Sequence, residues 1–220
     1  MMRFWLCSWL VGGLCGIALL TGTPGRAADE DEQGFVPLFD GKTLEGWKKV
    51  GGGATYRVED GQIVGEVGPG SNTFLRTEKT YGDFILKLDA KLDVPGNSGI
   101  QFRSHQRAEE NGRVYGYQCE IDPSDRAWTG GIYDEARRGW LYDLKDHPEA
   151  QKAFKKADWN HFVIEARGDH LRTWVNGVPC ADLHDSMDKE GFIALQVHAG
   201  KEGRIRWKDI QIKELGSESR

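Results

Sequence analysis

Apolar and polar residues alternate with a period of two through much of this chain, and the clearest run sets Phe84, Leu86, Leu88, Ala90 and Leu92 against Ile85, Lys87, Asp89 and Lys91. Successive side chains of a strand point to opposite faces, so this run predicts a strand with one face in a core. Shorter alternations predict strands at 56–58, 62–67, 100–104, 115–122, 159–167, 170–176, 192–198 and 204–214. Asp60-Gly61 and Asn176-Gly177 fall between such segments, and both dipeptides suit the positive-φ positions of tight hairpins. Helical character is confined to 147–157, where Pro148 suits a first turn and Glu149, Ala150, Gln151, Lys152, Ala153 and Phe154 favour helix. No internal repeat, low-complexity block or Pro/Ser linker breaks the series. One all-β antiparallel sandwich is expected over residues 35–216, with one short helix in a long loop and a tail at 217–220.

The segment before that domain has a different pattern. Arg3 precedes an apolar stretch through Phe4, Trp5, Leu10 and Val11 to Leu20, and Gly25 and Ala27 stand as the small residues of a cleavage point. This order predicts a signal peptide over 1–27, a charged leader over 28–34 and an exported product, periplasmic or extracellular. A membrane-anchoring helix is the alternative, but no basic stop-transfer cluster follows. A lipoprotein reading through Cys15 lacks the Leu-small-small run. Cleavage would remove Cys7 and Cys15, leaving Cys119 and Cys180 either as a disulfide or as two buried thiols.

Composition narrows the classes further. With 39% hydrophobic and 29% charged residues the chain is an ordinary globular one, not a disordered one. Lys+Arg 29 against Asp+Glu 34, a net charge of −5, offers no basic footprint, so nucleic acid is excluded as an expected partner. Gly 29 beside eight Trp and six Tyr suits tight turns and rings that stack on flat ligands.

Strand parity then isolates a polar face. Around Ile100 and Phe102, which the core takes, Gln101, Arg103 and His105 share the other side. Around Cys119 and Ile121 the opposite set is Gln118, Glu120 and Asp122, and around Ile193, Leu195 and Val197 it is Ala194, Gln196 and His198. Antiparallel sheets often solvate one face. A generic solvated face would carry Lys, Thr and Ser, whereas carboxylate, guanidinium and imidazole together supply proton transfer and oxyanion stabilisation. His161 reads as a surface histidine, and His147, His170 and His184 fall at loops and element ends. The excursion after Asp122 adds Trp128, Tyr133 and Trp140 as platforms for a sugar, with Asp134 and Arg137 for its hydroxyls. No His-x-x-x-His, CxxC, EF-hand, phosphate-loop or nucleophile motif is present, so no metal or other cofactor is expected, with a structural calcium left open.

Longer motifs carry a resemblance. Phe39-Asp40-Gly41-Lys42-Thr43-Leu44-x-Gly46-Trp47, Asn97-Ser98-Gly99-Ile100-x-Phe102-Arg103, Trp159-Asn160, Asn176-Gly177-Val178, the run from Gly191 to His198 and the closing Ile210-x-Ile212-Lys213-Glu214-Leu215 resemble the 3-keto-disaccharide hydrolase domain family. That family is similar in fold to concanavalin A-like lectins and glucanases, which implies a jelly-roll sandwich with a concave ligand face. The resemblance implies cleavage of 3-keto-glycosides by C2 deprotonation, elimination at C1 and water addition, by bacterial proteins that are commonly exported. It implies Arg103 as enolate or hydroxyl clamp, Glu120 and His198 as base and acid in either order, and His105, Gln118, Asp122, Tyr133, Asp134 and Gln196 as binders, to which strand parity adds Gln101 and the aromatic excursion Trp128. A saccharide ligand and a sugar C3 oxidoreductase in the same pathway are the expected partners, with no membrane span in the mature chain. Two other readings stay open. Glu120-x-Asp122-x-x-Asp125 is one carboxylate from the Glu-x-Asp-x-x-Glu strand of retaining glucanases, and a sugar-binding module would use the same face without proton chemistry.

Overall fold

A computed structural model describes residues 33–109 and 112–216 together with Met1 and Met2. The expected signal peptide, most of the leader and the tail lie outside the described residues. Short strands come first: β1 (Val36–Pro37), β2 (Trp47–Gly51), β3 (Thr55–Glu59), β4 (Gln62–Glu66) and β5 (Thr73–Thr77). Three longer ones follow, β6 (Phe84–Val94), β7 (Ser98–Gln106) and β8 (Val114–Ile121). The excursion contributes β9 (Ile132–Glu135), β10 (Gly139–Tyr142) and the single turn α1 (Pro148–Gln151). The chain closes with β11 (Asn160–Arg167), β12 (His170–Val175), β13 (Val178–His184), β14 (Phe192–Val197) and β15 (Arg204–Glu214).

These strands make two antiparallel sheets, a jelly-roll sandwich. The first has the order β13-β12-β11-β6-β15-β4-β3 with β1 on β15, and the second β10-β9-β8-β7-β14-β5-β2. The inward row of β6, Phe84, Leu86 and Leu88, is fully buried, as are Ile100, Phe102, Cys119, Ile193 and Leu195 from the second sheet. Each such apolar side chain contributes about 1.5–3 kcal/mol by leaving water. The hairpin dipeptides take the conformation their chemistry favours: Asp60 and Gly61 have φ of 53° and 77°, and Asn176 and Gly177 have 51° and 79°.

Three features depart from the pattern. The helix expected over 147–157 is reduced to Pro148–Gln151, because Asn160 accepts from the Lys155 amide at 2.7 Å and donates to the Lys155 and Asp158 carbonyls, drawing the chain into turns. Strands β1, β2, β5, β9, β10 and β13 are additional to those read from alternation. The second sheet is also buried on both faces: Val50, Phe74, Val114, Phe192 and Ala194 form a second apolar cluster on the face away from the main core. Cys119 and Cys180 are free and buried, and burial pushes both thiols up, Cys180 to about 12. Among the described residues no helix is long and apolar enough to cross a membrane.

Candidate active site

The outer face of the second sheet carries the chemistry, but strand parity holds only up to Phe102. Phe102 pairs with Tyr117 and His105 with Tyr115, so β7 spends one more residue than β8 over this stretch. The extra residue is a bulge in which Arg103 adopts φ of 44°. Its guanidinium therefore leaves the polar face and is fully buried at the end of the sandwich, donating to the carbonyls of Gly82 at 2.8 Å and Gly168 at 2.7 Å and to Asp83 Oδ1 at 2.7 Å. With a further bond to the Asp188 carbonyl at 3.3 Å, Arg103 clamps three loops and does not meet Glu120. His105 lies beyond the same bulge, with Nε2 3.2 Å from Asp188 and its ring stacked on Tyr115.

A cleft of about 490 Å³ opens around Glu120, within the size range of small-ligand sites. Gln118, Glu120 and Asp122 reach it from β8 and its extension, Tyr133 and Glu135 from β9, and Trp140 from β10. Asn72, Asn97, Ser124, Arg126 and His198 arrive from flanking loops. Of the residues expected to line this face, Gln118, Glu120, Asp122, Tyr133 and His198 do so. Gln101 and Gln196 sit fully buried behind them. Asp134 alternates with Tyr133 and Glu135 and so projects inward, where it holds Arg137 at 2.7 Å and also Arg138. Trp128 packs on the core and stands edge-on to Trp140, whose ring centroid is 4.8 Å away.

Glu120 is the buried carboxyl of the cleft. Gly99 lies opposite it on β7, and a Cβ there would come within 2.3 Å of Gln118 Cδ, so the missing side chain gives the Gln118 amide room. A chain of polar groups results: Ser104 Oγ donates to Gln101 at 2.7 Å, Gln101 to Gln118 at 2.5 Å, and Gln118 to Glu120 Oε2 at 2.7 Å. Asn97 donates to the other Glu120 oxygen. Burial pushes the Glu120 carboxyl up to about 7, against the opposing pull of Asn97 and Gln118. Two residues on, burial also raises Asp122, but bonds from Ser124 and from Arg126, whose Nε lies 2.8 Å away, outweigh it and hold that carboxyl below its usual range. Neighbouring carboxyls pushed in opposite directions divide acid-base roles between them.

The sequence reading missed Glu135, Asn72, Asn97 and Arg126. Burial raises Glu135, which accepts from Asn72 at 3.4 Å and Gln196 at 3.5 Å, while Gln196 Oε1 is buried without a partner. Asn72 also accepts from the Ala199 amide at 2.9 Å, anchoring the loop of His198. On that exposed rim His198 Nδ1 lies 2.8 Å from the Ala199 carbonyl, a contact that leaves Nε2 as the nitrogen able to exchange a proton. Arg126 has its guanidinium carbon 4.8 Å from the Trp128 ring centroid and 5.0 Å from that of Trp140, fixing it at the cleft wall. Asp125, the last place of the glucanase-like motif, points to solvent beside Lys156 at 3.3 Å. A second glucanase-type carboxylate is therefore not delivered from that motif.

A jelly-roll sandwich with a polar, aromatic-edged cleft on one sheet is an arrangement suited to holding a saccharide. The chain belongs to the family described as the 3-keto-alpha-glucoside-1,2-lyase-like domain, which matches residues 34–213. It is 31% identical over 130 residues to a 3-keto-disaccharide hydrolase of Bacteroides thetaiotaomicron, a match covering 55% of this chain and 41% of that protein, so it spans less than half of that relative. Among solved structures, a proposed glycosyl hydrolase from Parabacteroides distasonis superposes with a TM-score of 0.62 at 21% identity, covering 83% of this chain and 94% of the other. A galectin-like protein of unknown function from Bacillus subtilis gives 0.61 at 12% identity over 87% and 97% of the two chains. The carbohydrate-binding module CBM66 from Bacillus subtilis gives 0.53 at 16% identity over 77% and 96%. At these identities the structural likenesses establish the fold.

Proposed function

We propose that the protein is exported and cleaves glycosides whose sugar carries a ketone at C3, with Glu120 as the base. The ketone acidifies the C2 proton, and Glu120 removes it to give an enolate. Collapse of the enolate breaks the bond between C1 and the glycosidic oxygen, which leaves with the electron pair and takes a proton from His198 at the rim. Water then adds at C1 of the resulting enone, giving up a proton that restores His198, while Glu120 returns its proton to C2 and the free 3-keto sugar is released. Arg126, in place of Arg103, faces the enolate oxygen, and Tyr133 and Trp140 take the apolar face of the ring. A sugar C3 oxidoreductase would supply the substrate.

The observation that carries this reading is the carboxyl of Glu120, buried on the cleft floor and pushed up to about 7, beside the ionised Asp122. A base acts best when its pKa lies near the working pH. Incubation of the purified protein with a 3-keto-glucoside and, separately, with its unoxidised parent tests it. Turnover of the keto form alone is expected. Turnover of both would make the protein an ordinary glycosidase, and binding with no turnover of either would make it a sugar-binding module.

A further inference from the structure

We propose that His170, Asp182 and His184 form a binding site for a transition-metal dication of the zinc type on the outer face of the first sheet. The cleft and its chemistry belong to the other sheet, so this inference is independent of the function proposed above. In the β12-β13 ladder His170 stands directly opposite His184, and Asp182, two residues before His184, projects from the same face. The two imidazoles are stacked with centroids 4.3 Å apart and planes at 10°. One donor atom from each of the three residues lies within 4.8 Å of the others. Ligand atoms around a tetrahedral zinc ion, bound at roughly 2.0–2.2 Å, stand about 3.4 Å apart. Partly and fully exposed side chains at strand ends close that difference by small rotations.

Three neighbouring contacts point the same way. His170 Nε2 lies 2.7 Å from Asp182 Oδ1, so an ion entering between them exchanges one hydrogen bond for two bonds to the metal. His184 Nδ1 lies 3.2 Å from Asp169 Oδ1, and a carboxylate at Nδ1 fixes the ring and the tautomer that offers Nε2. Arg172, the register partner of Asp182, directs its guanidinium to Glu165 at 2.7 Å on β11, so its positive charge is paired with an acid. Two imidazoles with one carboxylate suit zinc, copper or nickel and not calcium or magnesium, which take oxygen ligands. Bound there, the ion would tie the end of the edge strand β13 to β12. It would stabilise the folded chain because the unfolded chain does not assemble the site.

Titration of the purified, tag-free protein with zinc chloride by calorimetry tests this, with the thermal midpoint followed in parallel. One equivalent is expected to bind saturably and to raise the midpoint. His170→Gln and His184→Gln should each weaken binding at least about tenfold, and Asp169→Asn about tenfold through the orientation of His184. Circular dichroism of each variant reports whether it is folded. Absence of saturable binding up to millimolar zinc, or unchanged stoichiometry and affinity in the folded His170→Gln/His184→Gln double variant, would overturn the site.

Discussion

At the scale of single residues, Glu120 keeps the place on the polar face that parity gives it, and Arg103 leaves its own for the end of the sandwich. Glu120 holds its proton in the folded state to about pH 7, whereas a free carboxyl loses it near 4.5. Between those values the folded chain binds more protons than the unfolded one, so the contribution of Glu120 to stability falls as pH rises through this window. Glu120→Gln removes that dependence. Its unfolding free energy relative to wild type is expected to shift in its favour by about 3 kcal/mol between pH 4.5 and 7.5, read by denaturant titration; a gap that does not change with pH contradicts the buried carboxyl. The same group predicts that kcat/KM for a 3-keto-glycoside falls below about pH 7, and that the Gln variant loses about 10²–10⁴-fold in rate. Arg103→Ala acts on the fold instead. It strands the carbonyls of Gly82 and Gly168 around an empty site and leaves Asp83 with the Gly168 amide in place of its cation. The expected cost is about 3–5 kcal/mol, seen as a thermal midpoint lower by about 10 °C, and an unshifted midpoint would return Arg103 to the polar face.

Elements decide which residues can be read from sequence. The inward rows of β6, β8 and β14 were legible because their alternation is unbroken, and Asn176-Gly177 was legible because its chemistry selects one turn. Arg103 was not, since nothing local marks a bulge at a long cationic residue forced to positive φ, and the pairing of β7 with β8 settles it. Asp134 and Glu135 exchanged places for the same kind of reason. A strand of four residues flanked by Gly130, Gly131 and Gly139 shows no period, and a one-residue slip reverses its faces. The His170, Asp182 and His184 group was hidden because residues 12 and 14 apart in sequence become neighbours only across a hairpin. Gly99→Ala tests the element that supports Glu120. The added methyl displaces the Gln118 amide and removes a bond to the ionised carboxyl, so the acid limb of the rate profile is expected to move to higher pH. A profile unchanged in a folded Gly99→Ala protein would show that the amide chain does not tune Glu120.

For the whole molecule, two sheets divide the work. The first supplies the row of β6 and β15 that buries the common core, and the second is buried on both faces and so can hold polar side chains in fixed positions. Free Cys119 and Cys180 imply that this rigidity comes from packing, so a reducing agent should leave the thermal midpoint unchanged. The central claim is that the cleft of the second sheet performs elimination on a keto sugar with Glu120 as base. Its most direct test is the reaction of a 3-keto-glucoside in deuterium oxide, with the product and recovered substrate read by NMR at C2. The account predicts deuterium at C2 of the product with wild-type protein and strong suppression of both exchange and cleavage with Glu120→Gln. Cleavage that leaves the original C2 hydrogen in place, or exchange and cleavage at wild-type rates in the Gln variant, would contradict it.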